Sequence, residues 1–265
     1  MKAHGKTLVV TGGGSGIGRE LVLHLVRKGA RIIVADVNTA GMEETKKLAH
    51  SHGSAIHTYA LDLSDSRAIE AFAARVLSEH GSIDGLINNA GIIQPFVPLN
   101  ELNAEKAEHI MRVNFYGTYH LIKLLLPHLL TRPEAHIVNV SSMGAFIPFP
   151  GQTMYGASKA AVKLLTEGLY AELLHTSVRV TLVMPGAVDT NIMEHSGVSI
   201  SKEAQAGMEK APRVPAKKAA EYIINAMEKN QFRLVLGSDA RFLDIFSRLF
   251  PTRSIRYIVK QMQVK

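Results

Sequence analysis

Seven short strand-like runs separated by longer stretches of helical periodicity constrain this chain more than any other feature. The runs are TLVV from Thr7, IIVAD from Ile32, IHTYALD from Ile56, IDGLINNAG from Ile83, HIVNVSS from His136, RVTLVMPG from Arg179 and RLVLG from Arg233. They are continuously apolar rather than alternating, as expected of strands covered on both faces. Helical periodicity fills 16–28, 40–52, 66–80, 103–130, 155–175 and 216–229. Such alternation predicts an α/β fold: a doubly wound sheet of seven mainly parallel strands with helices on both faces. Ligands of an open parallel sheet lie outside the carboxyl ends of its strands. The irregular segments 94–102 and 189–215 both follow strand ends, and they are the expected walls of a substrate pocket.

The chain has 265 residues, 46% of them hydrophobic, enough to bury the core of one domain spanning 1–265. It contains no cysteine, which excludes disulfides, thiolate metal ligands and a thiol nucleophile and fits a reducing compartment. A cytoplasmic location is expected. The opening MKAHGKTLVVTGG runs straight into a glycine turn and reads as a first strand, not a signal peptide. No apolar stretch approaches the roughly 18 residues of a spanning helix, so a soluble protein is expected. The 12 histidines are scattered without ligand spacing, and no metal site is expected.

The formal net charge is +7, and +4 of it falls between Asp239 and Lys265, where six bases face two acids. Charge this local, without aromatic stacking platforms in a binding motif, argues against nucleic acid. Residues 240–265 read as a basic amphipathic C-terminal extension, with Phe242, Ile245, Phe246 and Leu249 at helical spacing before Pro251. Packing on the body, on a subunit or over the pocket is preferred to contact with an anionic membrane.

Chemistry begins at Thr11–Gly18, where Gly12, Gly16 and Gly18 follow the first strand and open a helix. Glycines there let the backbone approach a pyrophosphate at a helix N-terminus. The turn lacks the Lys-Ser/Thr ending of a P-loop. The second strand ends at Asp36, whose carboxylate can accept hydrogen bonds from both hydroxyls of an adenine ribose and would repel a 2′-phosphate. No Lys or Arg lies in the turn before Gly18, and Val37 follows the acid. NAD is therefore expected over NADP.

Tyr155 and Lys159 stand at i and i+4, on one face of a helix. A free phenol titrates near 10; an ammonium and a cationic nicotinamide beside it would favour phenolate and tune it as a general acid/base. Ser142, ending the strand 136–142, can donate to the same substrate oxygen.

Together these residues resemble the short-chain dehydrogenase/reductases over nearly the whole chain. The resemblance rests on Thr11–Gly18, Asp62-Leu63, Asn88–Gly91, Asn114, Ser142, Tyr155–Lys159, and Pro185-Gly186 with Val188 and Thr190. It implies a Rossmann-type fold and a catalytic tetrad of Asn114, Ser142, Tyr155 and Lys159, with the interval from 142 to 155 selecting Ser142 over Ser141. It implies cofactor contacts from Gly12, Ser15, Gly16, Ile17 and Gly18, from Asp62 and Leu63 to adenine, and from Asn89 beside the ribose. Val188 and Thr190 would hold the carboxamide, while Lys159 would bind the nicotinamide ribose beside Tyr155. Asn114 would mark a local helix break whose freed carbonyl holds a water next to Lys159. A homodimer or homotetramer is also implied.

The expected activity is interconversion of a secondary alcohol and its ketone by hydride transfer. Phe96, Met143, Phe146, Phe149, Met154 and Met193 fall near the expected pocket walls and suggest a lipophilic substrate such as a steroid, retinoid or long-chain alcohol. The alternative is a catalytically silent nucleotide-sensing protein of the same fold.

Overall fold

The computed structural model describes residues 1–190, 192–198 and 213–262. In chain order the elements are β1 (Thr7–Thr11), α1 (Gly16–Arg27), β2 (Arg31–Asp36), α2 (Thr39–Leu48), β3 (Ile56–Ala60), α3 (Ser66–His80) and β4 (Gly85–Asn88). There follow α4 (Ala104–Met111), α5 (Gly117–Leu130), β5 (Ala135–Val140), α6 (Thr153–Glu172) and β6 (Val178–Pro185). The chain continues through β7 (Val188–Asp189), α7 (Ile192–His195), β8 (Val214–Pro215), α8 (Ala216–Glu228), β9 (Arg233–Leu236), α9 (Ser238–Leu249) and α10 (Pro251–Gln261).

Seven strands form one sheet in the order β3-β2-β1-β4-β5-β6-β9, and every pairing in it is parallel. The expected Rossmann-type sheet is thus present. The order runs outward in both directions from the β1/β4 pair. There the connections change side and a crevice opens beyond the carboxyl ends.

Side chains alternate between two buried layers, as a strand period of two requires. Leu8 and Val10 of β1, with Ile32 and Val34 of β2, join a layer containing Leu21, Leu25 and Ile223. Val9, Ile33, Leu86 and Ile137 point the other way, into a layer with Phe72, Leu121 and Leu125. Burial of each such aliphatic side chain contributes about 1.5–3 kcal/mol.

Two boundaries differ from expectation. The second helix stops at Leu48, not His52, and a tight 3-10 turn runs over His50–Ala55. His50 takes a positive φ of 50°, outside helical geometry. The stretch read as one helix from 103 to 130 is interrupted by a wider π turn at Arg112–Tyr116. The C-terminal stretch breaks at Pro251 as its sequence implies: Phe250 leaves helical geometry, and Pro251, with no N–H to give, opens a second helix. Leu243 and Ile258 of this pair pack on Ile147, with Met143, Phe146 and Phe149 around them. Most of the expected wall 189–215 lies outside the described residues.

Candidate active site

The turn after β1 is held to the exit of β4 by Thr11, whose Oγ1 accepts from the backbone N–H of Asn89 at 3.0 Å and of Ala90 at 3.1 Å. Gly12 has φ +70°, and a Cβ there would sit 2.9 Å from Ala90 Cα. A Cβ at Gly18 would collide with the Gly12 carbonyl oxygen. Gly18 therefore permits the tight turn from beneath and does not line the cleft. Helix α1 opens from this turn with no acidic residue in its first turn, so its N-terminal partial positive charge is left uncancelled toward an anion.

Asp36 closes the turn from the end of β2. One carboxylate oxygen accepts from Gly14 N at 2.9 Å and the other from Asn38 N at 2.9 Å. Arg19, the nearest base after the turn, donates through Nη2 to the Gly14 carbonyl at 2.6 Å and pairs with Glu44.

From Asp36 a cleft of about 660 Å³ runs along the carboxyl ends to Tyr155. Gly12, Ser15, Gly16 and Ile17 line it, as do Asp36, Asp62, Leu63 and Asn89. At its other end lie Ser142, Tyr155, Lys159, Val188 and Thr190. Of the expected catalytic and cofactor-contact residues, only Gly18 and Asn114 stay behind the lining. The cleft fits a dinucleotide: a carboxylate at one end, a glycine turn on a helix N-terminus in the middle, and a tyrosine–lysine pair beyond. Added side chains would fill the cradle; a Cβ at Gly91, for instance, would lie 2.9 Å from Lys159 Nζ.

Tyr155 enters from the first turn of α6 and is hydrogen-bonded to Ser142. Ser142 Oγ also accepts from Gly144 N at 3.0 Å, which fixes the hydroxyl at the strand end. Its neighbour Ser141 turns away and donates to the Lys159 carbonyl at 2.7 Å. Lys159 Nζ donates to the Val140 carbonyl at 3.1 Å.

Titration within this group is governed by burial. Burial pushes the Tyr155 phenol up, the Ser142 hydrogen bond opposing it, and the same burial lowers Lys159 to about 8. Desolvation thus outweighs the Ser142 hydrogen bond in setting the phenol.

Asn114 sits fully buried within the π turn. Its Oδ1 accepts from Ile92 N at 2.8 Å, and its Nδ2 donates to Ile92 O and Ser158 Oγ, both at 2.9 Å. It thus staples the β4 exit to α6. Its carbonyl accepts from Thr118 Oγ1 at 3.0 Å.

Five of the six apolar residues expected on the walls serve elsewhere; only Met193 lines the cleft. Met143, Phe146 and Phe149 pack against the C-terminal helices. Met154 lines a separate hollow with Met111 and Tyr116. The backbone of Phe96 backs onto Gly151. Ile92, Val113 and Ile192 supply apolar lining that the sequence reading did not select.

One supporting residue was also missed. Gln94 is fully buried, and its Oε1 accepts from Met154 N at 2.7 Å and Tyr155 N at 3.1 Å. Its Nε2 donates to Gly151 O at 2.7 Å, while Gln152 Nε2 returns a bond to Gln94 O at 2.8 Å. The nominal N-cap, Gln152, makes no side-chain cap bond. Gln94, 58 positions before Gln152 in the chain, therefore caps α6 in its place. Nothing local in the sequence signals a cap supplied across the fold.

A parallel doubly wound sheet, a glycine turn at its switch point and a Ser–Tyr–Lys group at the far end of one cleft define a dinucleotide-binding oxidoreductase. The family model "short chain dehydrogenase" matches residues 6–199, and the chain belongs to that family, whose members act on CH–OH groups. It is 36% identical over 260 residues to a Mycobacterium tuberculosis protein named "Putative oxidoreductase SadH", covering 96% of this chain and 94% of the relative. It is 32% identical over 238 residues to 1-deoxy-11-beta-hydroxypentalenate dehydrogenase of Streptomyces exfoliatus, covering 89% and 84%. Among solved structures, a short chain dehydrogenase/reductase from Burkholderia phymatum in complex with NAD superposes with TM-score 0.83 at 25% identity, covering 94% of this chain and 96% of that one. A short chain dehydrogenase from Burkholderia cenocepacia in complex with NADP gives 0.80 at 25% identity, covering 98% and 99%. The fold thus binds NAD(P).

Proposed function

We propose that this enzyme interconverts a lipophilic secondary alcohol and its ketone, using NAD in preference to NADP. The observation that carries the reading is the convergence of Tyr155, Ser142 and Lys159 at one end of a cleft whose other end is closed by Asp36.

Oxidised nicotinamide, when bound, accepts the hydride and brings a positive charge beside Tyr155. The chain's own residues do the rest. Ser142 holds and polarises the substrate oxygen. Tyr155 takes the hydroxyl proton in oxidation and returns it in reduction. Lys159 binds the nicotinamide ribose and favours the phenolate, and Asn114 steadies α6 beside it, its carbonyl holding a water through which protons pass toward solvent. Val188 and Thr190 hold the carboxamide. Asp62 and Leu63 meet the adenine, with Asn89 beside its ribose.

The preference for NAD is supported by Asp36, already aimed at the turn by Gly14 N, and by Arg19, whose charge is committed to Glu44. A 2′-phosphate would meet the Asp36 carboxylate, and the first base after the turn, Arg19, is already paired with Glu44. Apolar lining from Ile92, Val113, Ile192 and Met193 supports a lipophilic substrate. The exposed side chains Tyr116, Leu130 and Leu164 support a homodimer or homotetramer formed through the helices at 104–130 and 153–172. A catalytically silent nucleotide sensor would have no need of an aligned Ser–Tyr–Lys group. Secondary alcohols, steroids and retinoids incubated with NAD or NADP, followed by absorbance of the reduced cofactor, test the reading. Turnover with NAD is expected, and a strong preference for NADP would overturn the role given to Asp36.

A further inference from the structure

The two C-terminal helices have a second face that packing does not use. Seven of the sixteen large hydrophobic side chains left exposed among the described residues lie between Phe242 and Val259. Ile245 is 60% and Leu249 66% exposed. Phe242, Phe250, Ile255 and Val259, distributed over both helices, are exposed as well. The inward faces are already occupied: Leu243 and Ile258 pack on Ile147. The outward residues are therefore not an unfinished core.

Ring contacts tie the two helices together. Phe242 and Phe246 stack at 5.5 Å between ring centroids, and Tyr257 from the second helix meets Phe246 edge-on at 5.8 Å. The turn between the helices carries Leu249 and Phe250 at its tip, with the Arg253 guanidinium 5.5 Å over the Phe250 ring.

Charge on this surface has one sign. Arg241, Arg248, Arg253, Arg256 and Lys260 are all exposed. The two acids of the pair turn inward: Asp239 accepts from Ala187 N at 3.0 Å, and Asp244 is held by both terminal nitrogens of Arg233 at 2.9 and 2.7 Å. Arg248 also reaches Asp244, at 3.2 Å. Arg253, Arg256 and Lys260 have no ion pair among the described residues.

We propose that this helical pair docks on an anionic lipid bilayer, with its aliphatic and aromatic side chains entering the headgroup boundary and its bases on lipid phosphates. Exposed apolar side chains ringed by Arg and Lys are the surface chemistry of interfacial helices. A second copy of the chain is the poorer occupant, because face-to-face association would set five bases against five. The two most exposed apolar side chains of the pair, Ile245 and Leu249, also offer a nucleic acid nothing to stack upon. The docking is independent of the reading given to the cleft, and its test needs no turnover.

The full chain is sedimented with vesicles of phosphatidylcholine, with and without phosphatidylglycerol, at low and high salt. Binding is expected only to the anionic vesicles, and added salt should weaken it. Arg253→Gln with Arg256→Gln should lower the partition constant about tenfold or more, each base near such a surface contributing roughly a fivefold factor. Ile245→Ser with Leu249→Ser, at positions too exposed to unfold the chain, should remove binding while leaving the melting temperature and cofactor binding unchanged. No sedimentation with anionic vesicles at low salt overturns the proposal, as does equal binding by the substituted proteins. Self-association that Ile245→Ser with Leu249→Ser abolishes, without lipid binding by the parent, also overturns it and assigns the surface to a second copy.

Discussion

Replacing Gln94 by Leu keeps the side chain's bulk and removes its polar atoms. Three backbone groups then lose their partner: Met154 N, Tyr155 N and Gly151 O. Loss of a helix cap costs about 1 kcal/mol, and each buried group left unpaired about 1–3 kcal/mol. These groups are only partly buried, and the added apolar surface returns some stability, so the net loss is set at about 2–4 kcal/mol. For a domain of this size that lowers the melting temperature by roughly 5–10 °C. The function should suffer more specifically. Tyr155 sits in the turn that Gln94 holds, so its hydroxyl drifts from Ser142, and a displacement of about 1 Å can cost a hundredfold in rate. Gly12, Asp36 and the rest of the far end do not depend on Gln94, so kcat should fall while KM for the cofactor stays close to that of the parent. Gln94→Glu keeps the acceptor for both N–H groups and loses only the donor to Gly151, so it should fall between the two. Thermal melts by circular dichroism and steady-state kinetics read both effects. A Gln94→Leu enzyme that melts with the parent and keeps its kcat would refute the reasoning.

Three further outcomes follow from charge and burial. Because burial holds the Tyr155 phenol above its ordinary value, alcohol oxidation, which needs phenolate, should accelerate with rising pH, whereas ketone reduction, which needs the phenol, should be flat near neutrality; rate profiles in both directions check this, and a flat oxidation profile contradicts it. Asp36→Ser removes a charged acceptor worth about 1.5–3 kcal/mol, so NAD binding should weaken about tenfold to a hundredfold while NADP binding improves, as fluorescence titration of the reduced cofactors would show. Burial lowers His136 to about 3, below its ordinary value of 6.5, so the unfolded chain takes up a proton that the folded chain refuses, and stability present above pH 6.5 is lost as pH falls toward 3. Relative to the parent, His136→Gln should therefore gain up to about 1.4 kcal/mol per pH unit on acidification from neutrality, measured by urea unfolding at several pH values; parallel curves for the two proteins would contradict it.

The sheet was legible in the sequence because each strand had to be apolar on both faces, and Val9 and Val10 do pass to opposite layers. The glycine turn was legible because only missing side chains permit the approach of Gly12 to Ala90. Strand end and helix spacing offered Ser142, Tyr155 and Lys159, and the family resemblance selected Ser142 over Ser141. The apolar walls could not. Met143, Phe146 and Phe149 look the same in a sequence whether they face a substrate or two packed helices. The proton balance between Tyr155 and Lys159 was equally hidden, since it depends on how deeply both are buried. Gln94 was beyond reach for a third reason: a residue in an irregular segment signals nothing of the helix it caps across the fold.

The central claim is that Tyr155 moves the substrate proton, and Tyr155→Phe tests it most directly. The substitution removes one oxygen and leaves the ring in place. With a secondary alcohol that the parent enzyme oxidises, reduced cofactor is followed by absorbance and NAD affinity by titration. The account predicts that NAD still binds and that turnover falls by about a hundredfold to ten-thousandfold. Unchanged turnover in a protein that binds NAD as the parent does would contradict it.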